Sequence, residues 1–152
     1  MKIMVTGGAG FIGSNVVDGY VNAGHDVVVV DNLYSGKREN LNPRAKFCEV
    51  DIRSEEVERV IKMEKPEVVN HHAAQINVRQ SVEDPVFDAE INVIGTLNLL
   101  ELSLSHKVKR FIFASTCSNY GKMEGREYVS EDSPLRPVSL SRLGRTMLLE
   151  EA

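Results

Sequence analysis

"VTGGAGFIGSN", residues 5–15, is the stretch on which the reading of this 152-residue chain turns. An apolar run, "KIMVT" at 2–6, enters it. A helical period leaves it, with Ile12, Val16, Val17 and Tyr20 at helical spacing and a stop at Gly24. Between the two, Gly7, Gly10 and Gly13 stand three apart. A backbone without Cβ atoms turns tightly and lets another chemical group come close. A helix starting directly behind it points unpaired N–H groups and a partial positive charge at that place. The pattern predicts a strand, a tight turn, a helix start and a seat for an anion.

Outward from there, strands and helices alternate. "DVVVV" at 26–30 is apolar on both faces, as in a parallel sheet covered on each side. A polar loop is expected at 33–45 and a third strand, "KFCEV", at 46–50. A helix follows from about Ser54, its expected cap, to Met63, with Val57, Val60 and Ile61 inward. "PEVVNHH" at 66–72 reads as a fourth strand, and one long helix is expected over 84–105, carrying Val86, Ile91, Val93, Ile94, Leu97, Leu99 and Leu100. "RFIFAS" at 110–115 is a fifth strand, and the chain to 137 reads as loop. "SLSRLGRTMLLEEA" at 139–152 reads as the start of an amphipathic helix. Strands joined by helical crossovers give one doubly wound α/β domain with a parallel sheet.

Composition is that of a globular domain: 42% hydrophobic and 26% charged residues. A formal charge of −4 gives no support to nucleic acid or an anionic membrane as partner, and no apolar run has the length of a membrane span. No export signal is read at the N-terminus. Cys48 and Cys117 are the only cysteines and lack ligand spacing, so a cytoplasmic location and no metal are expected. His71 and His72 are adjacent on a strand and so face opposite ways, one packing and one beside a ligand. Cys117 is expected to be a small packing residue.

The ligand is suggested by Asp31, at the end of the second strand, 24 residues after Gly7 and 18 after Gly13. An acid about 20 residues beyond such glycines meets an adenosine ribose. It accepts from the 2′-hydroxyl and repels a 2′-phosphate, which favours NAD over NADP, tempered by the nearby Lys37 and Arg38. A P-loop reading of Gly8–Gly13 fails at Ser14, where the phosphate-binding lysine would stand. A methyltransferase also places an acid after its second strand, and a purely structural turn needs no ligand; spacing alone leaves both open.

Longer stretches narrow this. "TGGAGFIGS", "VVDNLYSGKREN", "HHAAQINVRQSVEDPVFDAEINVIGTLNLLE", "RFIFAST" with "NYG", and "EDSPLRP" together resemble the extended short-chain dehydrogenase/reductases, the NAD-dependent epimerase/dehydratase group. Within it the chain looks most like the UDP-glucose 4-epimerases, over about residues 1–137. The resemblance implies a Rossmann NAD-binding domain covering the chain, truncated before a sugar-nucleotide domain. It implies NAD held by Gly7, Gly10 and Gly13 at the pyrophosphate and by Asp31 and Asn32 at the adenosine ribose, with Phe11, Ile12, Ser35 and Gly36 as further cofactor-binding residues. Asp51 and Ile52 would flank the adenine, Ala73 and Ala74 would line the nicotinamide side, and Asn92 would sit on a supporting helix. The implied substrate is a UDP-hexose, oxidised and re-reduced at one carbon. Thr116 takes the place of the family's serine or threonine beside the reacting oxygen. Cys117 and Ser118 stand where sugar dehydratases carry an acidic pair, so the epimerase branch is favoured over the dehydratase branch; a nucleotide-sugar dehydratase or decarboxylase is the alternative within the family.

The family's base is a tyrosine with a lysine four residues later, one helical turn apart. Aligning without a gap from Pro137 places Ser141 and Arg145 there; aligning on the final "LLEEA" places Leu143 and Met147. None of Tyr20, Tyr34, Tyr120 and Tyr128 has a lysine four later. The chain alone is therefore expected to be inactive as an epimerase. A non-catalytic NAD-binding regulatory module, or half a site completed by a partner chain, remain as alternatives. Uncovered apolar surface leads to an expectation of homo-oligomers or a partner.

Overall fold

The computed structural model describes residues 1–121 and 129–135. Two compact units result, one formed by residues 1–74 and 95–114, the other by 75–94 and 115–152. The expected helix at 139–152, with Ser141, Leu143, Arg145 and Met147, lies outside the described residues, as does Tyr128.

The first unit is a five-stranded parallel sheet in the order β3-β2-β1-β4-β5. Its strands are β1 (Lys2–Thr6), β2 (Asp26–Asp31), β3 (Lys46–Glu49), β4 (Val68–His71) and β5 (Arg110–Phe113). The alternating side chains of the central strands are apolar on both faces. Ile3, Val5, Val27, Val29 and Val68 pack on one face with Val17 and Val21 of helix α1 (Phe11–Asn22). Met4, Val28, Val30 and Val69 pack on the other with Val57, Val60 and Ile61 of α2 (Glu56–Glu64) and Leu99 of α5 (Thr96–Ser105). Helices on both faces make the sheet doubly wound, as the sequence predicts. Gly24, at φ +81°, ends the first helical segment where a residue with a Cβ would be strained. The expected cap of α2 differs: the Ser54 hydroxyl donates to the Asp51 carbonyl at 2.8 Å, and no side chain caps the helix, which begins two residues later.

The second unit corrects the single long helix. Residues 78–83 form α3 (Val78–Glu83), which periodicity missed; Asp84 then caps α4 (Pro85–Ala89), accepting from the Phe87 N–H at 3.0 Å. Residues 90–95 form a wider π-helical turn. Pro85 is the physical reason for the first break: it supplies no N–H and disfavours helix in the residue before it. A short 3₁₀ turn occupies Cys117–Tyr120, and Cys117 is exposed rather than packed. Among the described residues no helix is long and apolar enough to cross a membrane.

Candidate functional site

The sheet order reverses at β1. From β1 the chain moves outward through β2 and β3, then returns to β4 on the other side. The loops leaving β1 and β4 therefore diverge, and a crevice at the carboxyl ends of these strands is where open α/β sheets hold ligands.

The glycines of the β1 loop have separate reasons to be glycine. Gly7 has φ +70°, and a Cβ there would lie 2.6 Å from the Ala73 nitrogen. Gly13 lets α1 lie against the loop, since a Cβ would come within 2.1 Å of the Gly7 carbonyl oxygen. Gly10 differs. Its φ of −78° suits any residue, and its Cβ would meet only the Gly7 carbonyl oxygen, at 3.2 Å. Beyond that one tight contact, little inside the chain demands a glycine at position 10. Gly10 is also the N-cap of α1; no side chain caps that helix, and its first turn holds no acid. The helix start therefore has no side chain or acid of its own set against its donors and partial positive charge. Phe11 and Ile12 in that turn are 84% and 65% exposed, so Ile12 belongs to the rim rather than to the apolar face of α1.

The loop after β2 clamps the glycine loop from the other side. Asp31 is buried; its Oδ2 accepts from the Ala9 N–H at 3.0 Å and its Oδ1 from the Leu33 N–H at 2.8 Å. The Ala9 carbonyl in turn accepts from the Lys37 N–H at 3.0 Å and from Asn40 Nδ2 at 2.8 Å. Both polar groups of Ala9 are thus turned inward. Gly36 makes this possible, because a Cβ there would press on the Ala9 Cβ at 2.8 Å and the Asp31 carboxylate at 2.9 Å. Ser35 beside it is exposed. Asn40 is not singled out by sequence; a lone amide in a polar loop carries no period, and only its aim at Ala9 reveals its part.

Asn32 and Asp51 join the ends of β2 and β3. Asn32 Nδ2 donates to Asp51 at 3.0 Å and its Oδ1 accepts from the Tyr34 N–H at 3.0 Å, so both polar ends of Asn32 have partners inside the chain. The Arg53 guanidinium, bonded to Asp51 at 2.8 Å, holds that carboxyl down at about 2. Ile52 is buried in the core and its carbonyl accepts from Asn98 at 2.7 Å. The cations near Asp31 have their own partners: Lys37 lies 3.8 Å from Glu39, and Arg38 pairs with Glu49 while covering the Phe47 ring at 5.6 Å.

After β4, Ala73 closes on Gly7, and Ala74 follows it, half-buried. His71 packs inward, with Nδ1 2.6 Å from the Thr6 hydroxyl and Nε2 2.9 Å from the Thr96 hydroxyl. Burial pushes its pKa down to about 4, with the neighbouring His72 adding to the effect. His72 is also shifted down by burial, and its Nε2 is shielded from solvent without a partner. Among the described residues no cluster of three metal-ligating side chains occurs.

Asn92 and Thr116 belong to the second unit. Asn92 sits in the π-helical turn, where it accepts from the Gln75 N–H at 2.8 Å and donates to the Gln75 carbonyl at 3.1 Å. Thr116 Oγ1 accepts from the Ser118 N–H at 3.2 Å and so caps the short turn behind it, leaving its own hydroxyl hydrogen for another acceptor.

Comparison with known proteins agrees with this geometry. The model of the NAD dependent epimerase/dehydratase family matches residues 3–141. The chain belongs to that family. It is 39% identical over 150 residues to the UDP-glucose 4-epimerase of Mycolicibacterium smegmatis, an alignment covering 95% of this chain and 48% of the relative. Among solved structures, the UDP-glucose 4-epimerase of Thermotoga maritima with UDP-glucose superposes with a TM-score of 0.89 at 47% identity, covering 99% of this chain and 50% of that one. That of Thermus thermophilus, a complex with NAD, gives 0.92 at 44% identity, covering 99% and 49%. The chain thus spans about half the length of the relatives it matches.

Proposed function

We propose that this chain is the NAD-holding portion of a nucleotide-sugar epimerase of the UDP-glucose 4-epimerase kind. The observation that carries the reading is Gly10, a glycine with little internal reason to be one, at the uncapped start of α1. The α1 N–H groups would bind the pyrophosphate, and the space over Gly10 would let it approach. Asp31 has lone pairs beyond the two used by Ala9 and Leu33, and these would accept from a ribose hydroxyl. Lys37 and Arg38, paired with Glu39 and Glu49, would offer a 2′-phosphate little, so NAD is favoured over NADP. When bound, the dinucleotide would supply a hydride acceptor and donor for a sugar carbon. Thr116 would give its hydroxyl hydrogen to the reacting oxygen.

A second reading rests on the sequence: no tyrosine is followed by a lysine four residues later, so the chain by itself has no base of the family's type. We expect NAD binding without turnover. Calorimetric titration of the purified chain should show NAD binding and NADP at least about tenfold weaker, one charge contact's worth. Gly10→Ala should melt as the parent does yet lose most NAD affinity. A cooperative melt with no heat from either nucleotide would sink the cofactor reading. Interconversion of UDP-glucose and UDP-galactose by this chain alone would sink the second.

A further inference from the structure

The first unit contains a buried chain of polar side chains for which cofactor contact gives no account. Thr6 ends β1 and His71 ends β4, and the two are paired across the sheet. The His71 ring is 2% exposed and lies tilted against Phe111 at 6.0 Å and Phe113 at 5.8 Å, which fixes its plane. Its Nδ1 meets Thr6 Oγ1 at 2.6 Å and its Nε2 meets Thr96 Oγ1 at 2.9 Å. Thr6 Oγ1 also accepts from the Ala73 N–H, at 3.4 Å.

The direction of these bonds follows from counting hydrogens. Burial keeps the ring neutral at ordinary pH, so one nitrogen donates and the other accepts. If Nδ1 carried the hydrogen, the Thr6 oxygen would receive two donors and its own hydrogen would be left over in an apolar core. With the hydrogen on Nε2, the Thr6 hydroxyl donates to Nδ1, its lone pair accepts from Ala73, and Nε2–H donates to Thr96. Each hydrogen of the Thr6–His71 pair then has an acceptor, which a buried site strongly favours.

We infer that His71 is a positioning residue: acting through the Thr6 hydroxyl, it fixes the Ala73 N–H and so holds the 72–74 turn against the glycine loop. The turn it holds is the one whose Ala73 nitrogen would lie 2.6 Å from a Gly7 Cβ, where a small displacement would alter the mouth of the crevice. This deepens the proposed function and rests on it only for the effect on NAD.

Thr6→Val removes the hydroxyl at nearly constant volume, and Thr6→Ser restores it. In the unliganded chain, ¹⁵N spectra of the imidazole should show His71 protonated at Nε2 alone. Amide exchange at Ala73 should quicken about tenfold in Thr6→Val, the loss of one hydrogen bond, and return in Thr6→Ser. NAD affinity, measured where each variant is fully folded, should fall by about the same factor and recover with serine. An Nδ1–H tautomer, or Ala73 exchange equal in all three proteins, would overturn the inference; so would NAD bound equally well by Thr6→Val. If the parent binds no NAD while Ala73 exchange still follows the hydroxyl, the cofactor reading fails and the positioning role stands. Should Thr6→Val not fold, the tautomer and the Thr6→Ser exchange still decide.

Discussion

The two units are built on opposite principles. In the first, the buried side chains are mostly valine, isoleucine, methionine and leucine, stacked on both faces of the sheet. In the second, among its described residues, the buried ones are Gln75, Ser81, Asp88, Asn92 and Asn119, while Ile76, Val78, Val82, Val86 and Ile94 are more than half exposed. Asp88 is the hub: its Oδ1 accepts from Gln75 at 3.0 Å, Ser81 at 2.9 Å and Asn92 at 3.2 Å. Apolar packing is non-directional and yields by degrees. A satisfied polar network is directional, and removing a shared acceptor disturbs all of its donors at once.

The farthest-reaching expected effect tests that difference. Asp88→Ala removes an acceptor shared by Gln75, Ser81 and Asn92; with the Asn77 and Gln75 carbonyls still in reach of these donors, the loss should cost about 1–3 kcal/mol in all. Amide exchange over residues 75–94 should accelerate throughout, as one cooperative opening. Asp88→Asn keeps an acceptor oxygen and should be milder. Unchanged exchange in Asp88→Ala would show that the network follows the local fold rather than sets it.

Leu99→Ala is the matching probe of the apolar unit. Leu99 is fully buried against the β-sheet core, and the truncation should cost about 2–5 kcal/mol, moving the denaturant midpoint with the slope kept. A changed slope would mean that the apolar core does not yield by degrees, and the contrast would collapse.

The same contrast governs what can be read from sequence. Valine runs at 26–30 and 66–70 announce strands because apolar burial leaves a period, and the glycine spacing announces the turn because sterics leave few alternatives. All five strands are where the runs put them, to within a few residues. The stretch 75–95 misleads: its apolar residues keep helical spacing but face outward, and the polar residues that fill its interior look like surface. Periodicity therefore predicts one helix over 84–105, where α4, a π-helical turn and α5 stand, and misses α3. Within the site, Gly7, Gly13 and Asp31 are legible as a set. Asn40, and the bond from Asn32 to Asp51, are not, because each depends on which loop a single amide reaches rather than on any repeat.

The smallest effect lies at the rim of the first unit, where neither principle dominates and charge decides. Asp51, held at about 2 by Arg53, has a folded-state pKa below its ordinary 3.8. A depressed carboxylate contributes stability that is complete above the unfolded value and is lost as pH falls through the folded one. The window therefore runs from about pH 4 down to about pH 2. Glu58, Glu64 and Glu67 are also held down, by Lys62, Lys46 and Lys109 respectively, so Asp51 supplies only part of the acid limb. Asp51→Asn should leave the neutral-pH melt within about 1 kcal/mol of the parent, as befits a partly solvated pair. Between those pH values its stability should fall less steeply than the parent's. An identical acid slope in the two proteins would mean that Arg53 serves to orient the Asn32–Asp51 bond and not to stabilise the charge. The junction between the ends of β2 and β3 would then be held, like the second unit, by direction rather than by charge.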